Sequence, residues 1–574
     1  MKRSKRRRGK ISRQTECIES FLKRAQEDRT VYITDVRRIF DEVGEKAFHV
    51  HAHLYEGAVE VFGMSLPEWE TEEQREFVAE YIRAFLYNLI STLGAIRIEI
   101  YLDPADEDLR ALAEGLREDF QLDLDKTERS GYGKCLNVNE RIVKALTGGK
   151  EKFAIGIRDL RDETEDAKAM EEPTGGAVFE ELPARAQKAF LLGIDVGGTD
   201  IKFAASLDGR LVHCEELNWA PASFSCVEQL IDPVMETAER LMKQFGAGRK
   251  WDGIGLSWPD AIIHNMIVGG ETTKTKGLRE NPDRDYEEQF AQLTGLTGKL
   301  RALTTENGAV MCCNDGPMAA FTDAVEMAAA GGDVSKGFIA YSLGTELGTG
   351  WVLADGSIPQ IPLECYNCII DLGSRRAREY DAEDIRSCLN VNTLLPGTLQ
   401  KYTGQSGVFR LACKYLPERE PDIYEEALRR GLFEASGDGK SVIVPTEPDD
   451  KRKECLEFFM EKAASGESEV CREIFKEIGE YIAVIWAEND YLFHPAAKER
   501  TLFGRLVKRQ ECFDMIREGA VSREPGLVLK NADSGLAITP LMRQLEEDPV
   551  FTVAQFAQAV GALHFACVGL GGIL

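Results

Sequence analysis

The residues best suited to chemistry stand in two glycine-rich turns. In "LLGIDVGGTDIKFAASLDGRLVH" an apolar run ends at Asp195 and Val196, and Gly197, Gly198 and Thr199 follow at once. In "GFIAYSLGTELGTGWVLADGSIP" a second apolar run leads into Gly344, Thr345, Gly348 and Gly350. Glycine permits positive φ and lets a backbone come close to a ligand. Successive amides in such a turn form a concave anion site suited to phosphate oxygens. Thr199 and Thr345 add hydroxyls at the same rim, and Asp195 can hold magnesium directly or through water. Two such turns facing one another would grip a triphosphate from both sides. The competing account of either turn is a hairpin that needs glycine for its geometry alone. Between them, "RALTTENGAVMCCNDGPMAAFTDA" supplies Asn314 and Asp315 where a strand gives way to a helix. A carboxylate there could orient and deprotonate a nucleophile. It could equally cap the following helix.

Each turn needs strands to hold it. "FLLGIDV", "IKFAASL" and "RLVHCEEL" read as three strands, the last two joined at Asp208-Gly209. Val227, Leu230, Ile231, Val234, Met235, Ala238, Leu241, Met242 and Phe245 form one face of an amphipathic helix, and "WDGIGLSWPD" returns as a strand. Strand, glycine turn, strand and Asp-Gly turn recur at Asp355-Gly356, which predicts a duplicated, two-lobed α/β architecture with a cleft between the lobes.

"LLGIDVGGTDIKFAASLDGRL" resembles the first phosphate motif of the ROK family (repressor, open reading frame, kinase), within the actin/hexokinase-like (ribonuclease H-like) ATPase superfamily. A weaker resemblance runs from about Phe190 to Leu574 and leaves out the first 185 residues. It implies ATP and Mg2+, with magnesium at Asp195, and phosphorylation of a sugar. The nucleotide would sit against Gly197, Gly198, Thr199, Gly344, Thr345, Gly348 and Gly350, and against Gly504, the remnant of the family's double-glycine adenosine turn, in "TLFGRLVKRQ". By resemblance Asp315 is the general base, and Ser257, Asn314, Asp315 and Glu364 line the sugar site. Lys202 is expected on the second strand and not on the phosphate.

The chain departs from that pattern in several places. Glu346 stands where the family usually has glycine, and a carboxylate beside phosphates repels them unless a cation intervenes. The family's zinc cluster is missing. Asn367 lies near the expected histidine, and Cys365 and Cys368 form a single C-x-x-C, so zinc is not expected and buried thiols are. Where the family holds a sugar-binding asparagine the chain reads "GGETTKTKGLREN"; its Lys274 and Lys276 suit an anionic substrate or a surface loop.

Before these motifs, residues 1–160 read as a small α+β domain with no recognised chemistry. A helix covers "REFVAEYIRAFLYNLISTLG", a strand "AIRIEIYLD", and Asp103-Pro104 opens the helix "ADEDLRALAEGLREDF". His49, His51 and His53 share a face if they lie on a strand and could then bind a metal; on a helix only His49 and His53 do. Residues 161–187, acidic and with Pro173, Gly175 and Gly176, read as a linker. Lobes at 188–312, joined by a C-terminal helix at about 551–570, and at 313–550 follow.

Length and charge bound the rest. The 574 residues suffice for several cores, and 43% hydrophobic with 29% charged residues is a soluble globular composition. No apolar run reaches membrane-spanning length. Fourteen scattered cysteines fit reduced thiols in a cytoplasmic protein. A net charge of −27 argues against a general nucleic-acid binder. The basic start "MKRSKRRRGK" is the exception, read as a disordered, solubilising end that could touch nucleic acid or an acidic partner. The expected partner is a sugar or sugar-like molecule, with a homodimer also open. Alternatives to a kinase are a sugar-responsive transcriptional regulator and a nucleotide-binding scaffold without catalysis.

Overall fold

The computed structural model describes residues 2–164, 168–173, 175, 177–270, 273–376, 380–437, 440–532 and 537–570, the side chains of residues 2–12, 273 and 376 excepted. The N-terminal region begins with helices α1 (Lys2–Gln26) and α2 (Ile33–Val43). The basic start is therefore helical and not the disordered end expected, although its side chains lie outside the described residues. Further along α1, Ile18, Leu22 and Ala25 recur at helical spacing and are buried, which gives the helix a tertiary anchor.

Strands β1 (Lys46–His53) and β2 (Val59–Leu66) pair antiparallel. Helix α3 (Glu72–Thr92) is opened by a reciprocal Thr71–Gln74 capping box. After β3 (Arg97–Leu102) comes α4 (Glu107–Asp119), capped by Asp106, whose carboxylate accepts the Leu109 amide; Asp103 instead accepts the Ala105 amide in the preceding turn. Helix α5 (Cys135–Thr147) and β4 (Ala154–Asp159) complete a sheet of order β2-β1-β3-β4. This region shares one continuous apolar core with the later part of the chain, from Phe40 and Phe85 to Tyr341, Trp351 and Ile482. Within it, Arg37 and Glu488 form a buried ion pair at 2.6 Å, and the Asn88 amide donates to the Glu488 carboxylate at 3.0 Å.

Part of the expected linker is ordered too. Helix α6 (Ala177–Ala186) buries Phe179, Leu182 and Ala186. That three-four stripe was hidden by the acidic residues around it.

Two sheets then repeat one pattern of strand directions. The first holds β5 (Phe190–Val196), β6 (Asp200–Leu207), β7 (Arg210–Asn218) and β8 (Trp251–Ser257), with helix α7 (Glu228–Phe245) before β8. A two-residue ladder of β9 (Ile262–Ile263) and β10 (Met266–Ile267), and short helices α8 (Lys276–Glu280), α9 (Tyr286–Thr294) and α10 (Leu296–Arg301), precede β11 (Thr304–Cys313). The order is β11-β8-β5-β6-β7, with β5, β8 and β11 parallel and β6 antiparallel to both its neighbours. Asp208 (φ 46°) and Gly209 (φ 78°) make the expected two-residue hairpin turn.

Helix α11 (Asp315–Ala329) leads into the second sheet, with β12 (Phe338–Leu343) and β13 (Leu347–Val352) antiparallel. A helical insertion follows: α12 (Gly404–Arg419), α13 (Pro421–Arg429), the small ladder β14 (Glu434–Ala435) and β15 (Val442–Ile443), α14 (Arg452–Ala464) and α15 (Glu469–Phe493). Strand β16 (Glu499–Phe503), helix α16 (Gln510–Arg523) and β17 (Val528–Asn531) give the order β13-β12-β16-β17, with the last three parallel. That is the first sheet again without its outermost hairpin strand. The chain has the duplicated, two-lobed α/β architecture that the repeated turns predict, preceded by a further α+β region.

After α17 (Pro540–Glu546), α18 (Val553–Val568) returns to lie on β5 and β8. Contact is at backbone level: a Cβ on Gly193 or Gly255 would come within 1.9 Å of the Ala559 or Ala562 carbonyl oxygen. These glycines are required by close packing, not by φ.

Candidate active site

Asp195 is the penultimate residue of β5, half-buried, where the chain leaves the core. Ser257, fully buried at the parallel end of β8, hydrogen-bonds its carboxyl. Gln558 of α18 donates from Nε2 to Ser257 Oγ at 3.0 Å and to the Asp315 carbonyl oxygen at 3.0 Å. One amide thus joins the acid of the first turn to the start of α11. Burial pushes Asp195 up to about 6, the Ser257 hydrogen bond and Lys202 pull it down, and Asp315 and Asp200 push it up again. A desolvated carboxyl facing other acids is a favourable place for a cation.

The first turn is held from behind. Trp219 donates its ring N–H to the Gly197 carbonyl at 3.1 Å and its backbone N–H to the Thr199 carbonyl at 3.0 Å. The Gly197 amide donates to the Asp200 carbonyl, and Thr199 Oγ1 donates to the Asp200 carboxylate. Lys202, on β6 as expected, ion-pairs with Asp200. Neither Gly197 nor Gly198 has positive φ; a Cβ on Gly197 would crowd the Asp200 carbonyl oxygen at 3.0 Å, whereas at Gly198 geometry alone does not demand glycine. Gly198 is exposed, with nothing within 4 Å of where a Cβ would stand. Its amide and that of Thr199 have no partner among the described residues.

The second turn is built differently. Gly344 also has open space where a Cβ would be, and Gly348 meets only Ser342 at 3.4 Å. Underneath, Gly404 (φ +65°) lets the insertion press against the turn, its missing Cβ 3.0 Å from the Gly344 and Thr345 carbonyl oxygens. The Gln405 amide donates to Gly344 O at 3.0 Å. Glu346 keeps access to the cleft, and Gln400 donates to its Oε1 at 2.7 Å. The enclosing walls raise the Glu346 carboxyl above its ordinary range, while Gln400, Lys401 and Lys274 work against that. Gly350 is not part of the rim. It is buried in β13, and a Cβ there would lie 2.4 Å from the Gly316 carbonyl and 2.5 Å from Ala320, so it serves the packing of α11.

Asn314, not Asp315, caps α11. Its Oδ1 accepts the Gly316 amide at 2.9 Å, and its Nδ2 donates to the Asp260 carbonyl at 3.0 Å. Asp315 is the first helical residue, its side chain exposed to the cleft and one oxygen accepting the same Gly316 amide at 2.9 Å. With capping done by its neighbour, the remaining carboxylate oxygen faces the cleft at the positive end of the helix.

A cavity of about 770 Å³ is lined by Asn314, Asp315, Gly344, Thr345, Gly348 and Glu364. A second, of about 470 Å³, is lined by Asp195, Lys202, Gly504 and Asn531, the last two at the ends of parallel strands. The two share Ala319, Phe503 and Gln558. Gly504 (φ +101°) packs against the Leu343 backbone, so positive φ and close approach both call for glycine. Gly197, Gly198 and Thr199 line neither cavity and stand next to Asp195; Ser257 lies buried behind it.

Sequence reasoning missed two site residues. Gln558 sits in an apolar helix with no local mark of function. Asp260 ends the segment "WDGIGLSWPD", which the resemblance matches to the cleft lining along with Ser257, but it was given no role of its own. It is buried on the cleft wall, accepts the Gly270 amide at 2.7 Å, and burial pushes it up to about 6. Glu364 is pushed up to about 7, chiefly by burial and then by Asp260, Asp315 and Glu346, against a hydrogen bond from Tyr366. Of the two lysines, Lys274 lines the cleft and Lys276 is exposed and pairs with Glu280 along α8.

Among the described residues no group of three or more His, Cys, Asp or Glu is arranged to hold a metal ion. Cys365 and Cys368 are both buried, and burial pushes their thiols up. His49, His51 and His53 do lie on a strand. Glu163 bonds His49 and His51, each at 2.8 Å, and Glu99 bonds His53 at 3.2 Å, acids brought from far along the chain. No described helix is long and apolar enough to cross a membrane.

Fold and cleft define a two-lobed α/β protein with its candidate chemistry between the lobes. No family model and no curated protein matches the chain. Among solved structures it is similar to a ROK family glucokinase from Streptomyces griseus in complex with glucose and AMPPNP, at 17% identity over 65% of this chain and 98% of that one, with a TM-score of 0.38. It is also similar to a ROK hexokinase from Thermus thermophilus, at 15% identity over 65% and 97%, with a TM-score of 0.37. A ROK family transcriptional regulator, a homologue of the E. coli MLC protein, matches at 13% identity over 67% and 81%, with a TM-score of 0.38.

Proposed function

We propose that the protein is an ATP-dependent phosphotransferase acting on a hydroxyl of a sugar or sugar-like molecule. The reading rests on one observation: Gln558 couples Asp195, through Ser257, to Asp315 where the two cavities meet. The fit to a nucleotide rests on the open space at Gly198 and Gly344, which a side chain would fill. ATP would supply the phosphoryl group, and magnesium at Asp195 would neutralise charge on it. Gly198, Thr199, Gly344 and Thr345 offer amides and hydroxyls to phosphate oxygens. Glu364 and Asn314 orient the acceptor in the larger cavity, and the Asp315 carboxylate takes the proton from its reacting hydroxyl. Gln400 draws the Glu346 carboxylate to one side of the turn, which lessens its repulsion of phosphate.

A coupled ADP-release screen over hexoses, amino sugars and sugar acids tests the reading, with Asp315→Ala as control. ADP release that needs both an acceptor and Asp315 is the expected result. ATP binding without turnover over the whole panel would favour a non-catalytic scaffold, the reading that four carboxyls on one cleft wall (Asp260, Asp315, Glu346 and Glu364) also suits.

A further inference from the structure

The larger cavity does not end at Glu364. A further pocket of about 220 Å³ opens beyond it, sharing Asp260, Glu364 and Tyr366 with the cleft. Its far wall belongs to the N-terminal region: Tyr87 and Ser91 of α3, Lys134, and Asn139 of α5. That region also holds the segment bearing Glu364, because the Glu364 amide donates to the Ser91 carbonyl at 3.1 Å and the Leu363 amide to the Thr92 carbonyl at 2.9 Å. Arg141 of α5 ties the opposite side, pairing with Glu287 at 2.9 Å and donating to the Gly269 carbonyl. The first 160 residues are therefore built into the acceptor end of the cleft.

Two cations face this pocket without a carboxylate partner among the described residues. Lys134 is half-buried and makes no ion pair among the described residues. Arg279 donates to the Gly270 carbonyl at 2.7 Å and to Thr275, and it too makes no ion pair among them. Neither comes within ion-pair distance of Asp260 or Glu364, the acids of the same pocket. Both are partly enclosed in a chain of net charge −27, and Arg279 also lies over the Tyr286 ring, 5.9 Å from its centroid. A ligand anion satisfies them, and both residue types bind carboxylate and phosphate oxygens through charge-assisted hydrogen bonds.

Building on the kinase reading above, we infer that the acceptor carries an anionic substituent, carboxylate or phosphate, which enters this pocket and is held by Lys134 and Arg279. The N-terminal region is thereby the part of the molecule that selects acid sugars over neutral ones.

The test is calorimetric binding of three acceptor classes to the full chain: neutral hexoses, hexonates and hexose phosphates. Wild-type protein is compared with Lys134→Met, Lys134→Arg and Arg279→Met, and ATP binding is measured in each. An anionic class should bind wild type at least about tenfold more tightly than neutral hexoses, the scale of one charge-assisted hydrogen bond. Lys134→Met should remove about tenfold of that and leave neutral hexoses and ATP unchanged, while Lys134→Arg should restore most of it. Whichever of hexonate and hexose phosphate responds identifies the anion. Equal binding of neutral and anionic acceptors by wild type, or equal weakening of both by Lys134→Met, overturns the inference and leaves the kinase reading standing. Binding of no acceptor overturns it as well, and if ATP also fails to bind, the kinase reading falls with it.

Discussion

Replacing Gly198 by alanine separates a phosphate cradle from an ordinary hairpin. Gly198 lacks positive φ, is exposed, and has no atom within 4 Å of a new Cβ. Alanine therefore fits the native turn without strain. By restricting the unfolded chain it should raise stability by about 0.4–1 kcal/mol. Its methyl group would nevertheless stand in the space that phosphate oxygens need to reach the Gly198 and Thr199 amides. Loss of one hydrogen bond to a charged group costs about 1.5–3 kcal/mol, or roughly 10- to 150-fold in ATP affinity. The assays are thermal unfolding without nucleotide and ATP titration by calorimetry. Undiminished ATP affinity in a well-folded Gly198→Ala protein would refute the cradle. A large fall in stability would instead mean that glycine is there for packing.

Four further outcomes follow from the same structure. Asp315→Ala should lower turnover by about 10²- to 10⁴-fold in single-turnover assays while ATP still binds, because the N-cap of α11 is Asn314. Asp195 is raised from 3.8 to about 6, so the folded state holds a proton that the unfolded chain releases, and wild-type stability falls as pH rises from about 4 to 6. Asp195→Asn should remove that fall, gaining up to about 3 kcal/mol above pH 6 in denaturant titrations, while abolishing turnover. Gly193→Ala, which sets a Cβ 1.9 Å from the Ala559 carbonyl, should lose about 1–3 kcal/mol or more by chemical denaturation. Glu346→Gln removes a charge from the second turn and should tighten ATP binding about three- to tenfold, most clearly at low salt.

Features written in short stretches were legible in the sequence. The Asp208-Gly209 hairpin, the alternation of β3, the periodicity of α3 and α7, and both glycine turns depend on neighbours within about a helical turn, and local chemistry encodes them. The repeat of strand, turn and strand exposed the duplication because each copy carries its own punctuation. Where local signals competed, the reading went astray. The charge of the first residues hid the stripe that anchors α1, the acids of the supposed linker hid the stripe of α6, and Asp103 preceded the better-placed cap Asp106.

Which residues meet across the fold was decided by tertiary packing. Gly350 and Gly344 look alike in sequence, yet one lies within β13 and is buried under α11, while the other stands in the turn before it and borders open space. Gln558 became part of the site only when α18 came down onto the bare backbone of Gly193 and Gly255. Glu364 is held by Ser91 from a region that appeared unrelated to the cleft. Sequence by itself thus determined the elements and the two turns, since these rest on bonds between near neighbours. The partners of each side chain came from the docking of helices and sheets, whose contacts join residues hundreds of positions apart.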